Sequence, residues 1–310
     1  MEDEVMGEVA TQETATPRIP YLGSPVGPSV LEPVRTVRGR EASCPTCGGD
    51  AGPLDLSYVY ALGRIDARFA TLGAEKEFAQ VTGRAETAGK SNREVMYSVL
   101  AKPENRYLAR QMCWVLMVQG LETYILQPHD PVDLSLLVDA VRAQPDPNDL
   151  DVVIGVRGPL ASPELCNGLM VPIVRFDQIY SFDREAFMKA VPTPKDTPAK
   201  RFGPAVSEVF DRIALLTDNA GATDEHRALN FLLVRYARIY ERAAEAFAQD
   251  FSLSAVDARP SSLSGARRIV DVVFSYTNRN TDYTEKAFVR VDVTERFPFL
   301  VTKLSPYFDR

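Results

Sequence analysis

The stretch 269–293, IVDVVFSYTNRNTDYTEKAFVRVDV, decides the fold class. Val270, Val272, Phe274 and Tyr276 alternate with other positions, the period of a strand that buries one face. Asn278 to Asp282 supplies a turn, and Val289, Val291 and Val293 then alternate again. The pattern predicts a C-terminal β-hairpin. Phe299–Leu304 adds a third strand to this expectation.

Working back along the chain, Leu229, Leu232, Leu233, Tyr236, Ile239, Tyr240 and Phe247 recur at helical spacing. They predict one long helix from Thr223 to Ala248, preceded by a helix over 204–217. The runs 151–156 and 169–180 are nearly continuous in apolar residues, as in strands buried on both faces. Segments 57–69 and 122–126 read as further strands. Segments 74–81, 92–100, 104–116 and 131–142 read as helices. Helices and strands neither alternate strictly nor segregate, so the expectation is an α+β fold with a mixed or antiparallel sheet and helices packed on it. No repeat of 20 to 50 residues occurs.

Residues 1–43 carry Pro17, Pro20, Pro25, Pro28 and Pro33 among scattered apolar residues, a composition expected to stay disordered or extended. The folded domain is expected over 44–310. The proline-broken stretch VPTPKDTP (191–198) leaves open a division near 192–200.

The chain of 310 residues is 45% hydrophobic and 25% charged, enough for a real core. Its net charge of −7 gives no overall attraction to phosphate backbones or anionic membranes, so neither nucleic acid nor a membrane is an expected partner. The start lacks the basic and apolar regions of a secretory signal, and the expected compartment is the cytoplasm.

Four cysteines are too few for a disulfide framework. Cys44-Pro45-Thr46-Cys47-Gly48 has the spacing with which two thiolates grip one tetrahedral ion, and it predicts a zinc knuckle near the N-terminal end. A redox CxxC needs a strand before it and a helix after it. Here a proline-rich tail precedes it and Gly48-Gly49 follows. The remaining ligands are then Cys113, read as lying in an apolar helix, and Cys166, in the half-knuckle Cys166-Asn167-Gly168. His129 or His226 could replace one cysteine. Four thiolates leave no open position on zinc, which makes the predicted role structural.

Asp224, Glu225 and His226 form the one cluster suited to general acid/base chemistry. The competing reading is architectural. Thr223 caps the helix, Asp224 and Glu225 complement its dipole, and His226 shares a face with Leu229 and Leu233. Only two histidines occur, and neither a G-x-S-x-G elbow nor a phosphate loop is present.

The phrases DVVIGVRGP, CNGLMVPIVRFDQIYSF, DNAGATDEHRALN and FSYTNRNTDYTEKAFVRVDVTERFPFLVTKLSPY, with SYVYALGRIDARF and NRYLARQMCWVL ahead of them, occur in order. Together they resemble the C-terminal domain of unknown function of cyanobactin maturation proteases, the PatG type and the end of the PatA type. The resemblance runs from about residue 44 to the end. In that family the domain follows a subtilisin-like protease that turns ribosomally made precursor peptides into macrocycles. Ahead of Cys44 there is no room for that protease, so protease and macrocyclase activity are not implied.

What the resemblance implies is a module serving ribosomal peptide maturation. The leading expectation is a non-catalytic, zinc-stabilised accessory domain that binds a precursor peptide or a pathway protein, with a homodimer left open. The rival is an enzyme acting on such peptides through His226, Asp224 and Glu225. A redox protein using the CxxC ranks below both.

Overall fold

A computed structural model describes residues 57–83, 87, 89–193 and 199–308. The expected tail, the zinc knuckle with Cys44 and Cys47, and 194–198 of the proline-broken stretch lie outside these residues.

The first half of the chain closes a barrel in the order β1-β2-β3-β5-β4. Strand β1 (Tyr58–Phe69) does the closing. Its residues 58–63 pair antiparallel with β4 (Asp149–Leu160), and 64–69 with β2 (Met112–Val118). At the change of partner, a Cβ on Gly63 would collide with the Met117 carbonyl, so only glycine lets the strands approach. A two-residue turn, Gln119 (φ 51°) and Gly120 (φ 82°), joins β2 to β3 (Leu121–Pro128). Left-handed residues at both positions match the twist of the flanking strands. β3 runs parallel to β5 (Pro172–Asp183), which returns antiparallel to β4.

Val59, Ala61, Ile65, Leu116, Leu126, Val153, Val174 and Phe176 from all five strands share one core with helices α2 (Asn92–Leu100), α3 (Arg106–Gln111) and α4 (Leu134–Val141). Helix α1 (Leu72–Val81) adds Phe78 to it. Two carboxylates, Asp149 and Asp151, are buried on β4. Asp151, 1% exposed, accepts from Ile65 N–H at 2.6 Å and Ser181 Oγ at 2.5 Å. It satisfies an amide at the corner where β1 has left β4. Burial pushes its carboxyl up to about 6, against the pull of those two donors and of Arg142 and Arg93.

After α5 (Arg184–Ala190), helices α6 (Ala199–Ala214), α7 (Asp224–Arg235) and α8 (Arg238–Ala248) lead into a second sheet. It contains β6 (Phe251–Pro260), β7 (Ile269–Asn278), β8 (Thr284–Asp292) and β10 (Ser305–Tyr307), with β9 (Phe299–Leu300) also on β8. The β7–β8 hairpin is the one expected, in antiparallel register from Ile269↔Asp292 to Thr277↔Thr284. Its alternating face, Val270, Val272, Phe274, Val289 and Val291, packs on α6 to α8. The same core takes in Tyr60, Leu62, Val152 and Ile154 from the outside of the barrel. The fold is α+β, with a mixed barrel sheet and a C-terminal antiparallel sheet.

Two expectations are corrected. The segment 104–116 is helical only to Gln111 and becomes strand at Met112, so Cys113 lies on a strand. MCWVLMV is apolar throughout because both faces of the barrel wall are covered, and a short run of that kind has no period that tells strand from helix. The helix over 223–248 is two, broken at Tyr236 and Ala237, where the Tyr236 amide caps Leu232 O. Strand β6 and helix α5 lie where the sequence pattern predicts no element. The sequence FSLSAVDARP of β6 carries a register shift between Leu253 and Ala255 that interrupts its alternation.

Candidate functional site

The acid/base cluster is spread out by helix geometry. Thr223 caps α7, its Oγ1 accepting from His226 N–H at 3.2 Å. Asp224 turns toward cations, Arg227 at 3.4 Å and Arg268 at 3.5 Å. Arg227 is only 1% exposed and donates to Val293 O at 2.7 Å and to the Glu295 carbonyl, which ties α7 to the end of β8. His226 is half-buried. Burial lowers its pKa, and Glu225 and Asp218 partly oppose that shift. His129 is exposed beyond β3, its amide donating to Phe176 O.

Cys113 and Cys166 are brought together, with Cα atoms 5.6 Å apart, and their sulfurs form a disulfide. The β4–β5 connection makes this contact. Asn167 (φ 47°) and Gly168 (φ 88°) form a left-handed turn, with Gly168 N–H donating to Pro163 O, that turns Cys166 onto β2. Both cysteines are buried beside Val115, Ile125 and Ala161. Disulfide sulfurs are not thiolates, so the pair offers metal ligands only when reduced. Among the described residues, no group of three or more His, Cys, Asp or Glu side chains is placed to hold a metal ion.

A site that the sequence reading passed over lies between α8, the start of β8 and β10, in a cleft of about 680 Å³. Arg238 and Arg242 come from α8. Arg238 donates to Glu241 at 3.0 Å and to Glu245 at 2.6 Å, and Arg242 donates to Glu285 at 2.9 Å. Tyr283, Leu304, Tyr307 and Phe308 make apolar walls, and Tyr283 and Phe308 are exposed. Tyr276, on β7 directly opposite Glu285, lies under the Arg242 guanidinium, which stands 5.2 Å above its ring. Tyr276 is 1% exposed and its hydroxyl has no hydrogen-bond partner among the described residues. Burial drives that phenol well above its ordinary pKa, so it stays protonated. The sequence holds a signal for this site: Arg238, Glu241, Arg242 and Glu245 recur at the three- and four-residue spacing of one helix face.

Residues 196–307 match the family model described as PatG C-terminal. That segment contains the helices and strands that build the cleft. A solved structure described as "PatG Domain of Unknown Function" is similar in fold, with a TM-score of 0.67 and 20% identity over 81% of this chain and 98% of that one. No curated protein matches the chain. No helix among the described residues is long and apolar enough to cross a membrane.

Proposed function

We propose that this protein is a non-catalytic accessory module of ribosomal peptide maturation of the cyanobactin type, holding a precursor peptide or a pathway protein. The observation that carries this reading is the α8–β8–β10 cleft inside the PatG-matched segment. It has the mix expected of a recognition site, apolar walls with a few fixed polar groups. Each of its arginines is held by a carboxylate, and a guanidinium so held neither gives up nor takes a proton near neutral pH. Such a site binds and orients.

Zinc belongs to this proposal for the reduced chain. With the Cys113–Cys166 bond opened, the two thiols are close enough to serve one ion alongside the Cys44–Cys47 pair, and zinc would then fix shape and leave substrate untouched. Zinc content of protein purified without added metal, with and without reductant, tests this part.

The main test is titration of the full chain into a fluorescently labelled precursor peptide of the cyanobactin type, read by anisotropy. Saturable binding without change in peptide mass supports the proposal. A peptide shortened or cyclised by the chain alone overturns it.

A further inference from the structure

We infer that the β4–β5 connection, 161–171, is a strap released by reduction. Oxidised, the Cys113–Cys166 bond holds it over the outer wall of β2, β3 and β5. Reduced by a dithiol, it lets go and bares that wall. The inference concerns regulation, goes beyond the binding reading above and stands without it. Three observations carry it.

The first is what the strap covers. Val115 on β2, Ile125 on β3 and Ile173 on β5 share a small core with Ala161, Cys166 and Leu169 of the connection. Their neighbours Trp114, Leu116 and Leu126 belong instead to the core inside the barrel. Successive residues of a strand point to opposite faces, so Val115 and Ile125 face outward. The strap is what buries them.

The second is how little else fastens it. Its backbone bonds are its own: Ala161 N–H donates to Val171 O, Leu165 N–H to Ser162 O, Gly168 N–H to Pro163 O and Leu169 N–H to Cys166 O. Among the described residues, no hydrogen bond joins 162–170 to β2 or β3. Ala161 and Cys166 are its buried side chains, while Leu165 and Met170 are exposed. Ordering 162–170 costs about 1 kcal/mol or more per residue in backbone entropy, which burial of two small side chains does not return. The covalent bond supplies the difference.

The third is access. Cys166 lines a cavity of about 340 Å³ with Asn167, Gly168 and Leu169, and no atom stands within 4 Å of where a Cβ on Gly168 would be. The two charges lining it, Arg68 and Glu122, are paired with each other. Cys113 lines a second cavity of about 340 Å³, shared with Leu165 of the strap. From the first cavity a thiolate of the dithiol attacks the Cys166 sulfur, the S–S bond breaks, and its electron pair leaves on Cys113. The second thiol of the reductant then attacks the mixed disulfide and expels the Cys166 thiolate. The dithiol is oxidised to a disulfide, the two cysteines are reduced by two electrons, and the reductant's two protons end on them.

The test uses the full chain carrying Cys44→Ser/Cys47→Ser, so that neither a second dithiol nor a metal enters. It is incubated with dithiothreitol in native buffer, and free thiols are counted by alkylation and mass analysis. The expected result is that the bond opens without denaturant while near-UV circular dichroism keeps the folded signal. Both thiols of the reduced, folded chain should then react with an aromatic disulfide within about tenfold of their rate in concentrated urea, because a local opening exposes them. A bond that dithiothreitol opens only in urea overturns the inference. So does protection of either thiol beyond about tenfold, because 161–171 then stays seated without the bond. Loss of the folded signal on reduction overturns it too, because the bond then holds the whole fold and not the strap.

Discussion

Opening the Cys113–Cys166 bond gives a perturbation whose size follows from topology. The bond closes a loop of 53 residues that contains β3, α4 and β4. In the chain-entropy treatment, releasing that loop in the unfolded state adds roughly 14 cal/mol/K, or about 4 kcal/mol at 25 °C. A domain of this size loses about 2–4 °C of melting temperature per kcal/mol, so the drop should be about 8–16 °C. The clean comparison replaces Cys44 and Cys47 by Ser throughout, so that metal does not enter. Cys113→Ala/Cys166→Ala is then set against the parent in thermal unfolding followed by near-UV circular dichroism. Alkylation with mass analysis confirms that the parent carries no free thiol. A melting temperature within about 2 °C of the disulfide-bonded parent would refute the argument, because it would mean that closing the loop costs the unfolded chain no entropy.

Asp151 should impose a pH slope. Its carboxyl titrates near 6 in the folded chain against 3.8 unfolded, so between those values the folded state holds more proton. Its contribution is therefore fully present below pH 3.8 and is lost as pH rises through 6, about 3 kcal/mol in all. In Asp151→Asn the amide oxygen still accepts from Ile65 N–H and the amide nitrogen donates to Ser181, so urea unfolding from pH 4 to 8 should lose that slope relative to wild type. Arg227→Met strands the carbonyls of Val293 and Glu295, and chemical denaturation should show a loss of about 3–5 kcal/mol. An unchanged midpoint would mean that Arg227 is not holding the β8 exit. His226→Ala should keep the fold and shift stability by less than about 1 kcal/mol. Abolition of a peptide-modifying activity with the fold intact would instead favour the acid/base reading.

The parts of the fold legible in the sequence are those whose apolar side chains keep a period. The β7–β8 hairpin reads correctly because Val270, Val272 and Phe274 alternate toward the helices with Asp271 and Ser275 between them, although those two are buried as well. Strand β2 does not, since both sides of MCWVLMV are covered and the side-chain period vanishes. Proline also misleads. Pro204, read as a helix start, lies inside α6, which begins at Ala199. For the sites, the sequence set Cys113 and Cys166 side by side in one expected constellation, and the structure joins them to each other. Nothing local announces that pairing, because the contact depends on the register of a distant turn.

The shared seam between barrel and helices limits how this chain can be cut. Asn230 on α7 donates to Tyr60 O, bridging 170 positions, and Tyr60 N–H in turn donates to Gly221 O. An isolated 196–307 fragment would present Leu229, Leu232 and Leu233 to water where β1 and β4 belong. Heterologous expression of that fragment should give aggregates, and mixing it with a separately made barrel half should restore solubility. During synthesis the barrel likewise waits, with Tyr60, Leu62, Val152 and Ile154 bare, until its last third leaves the ribosome.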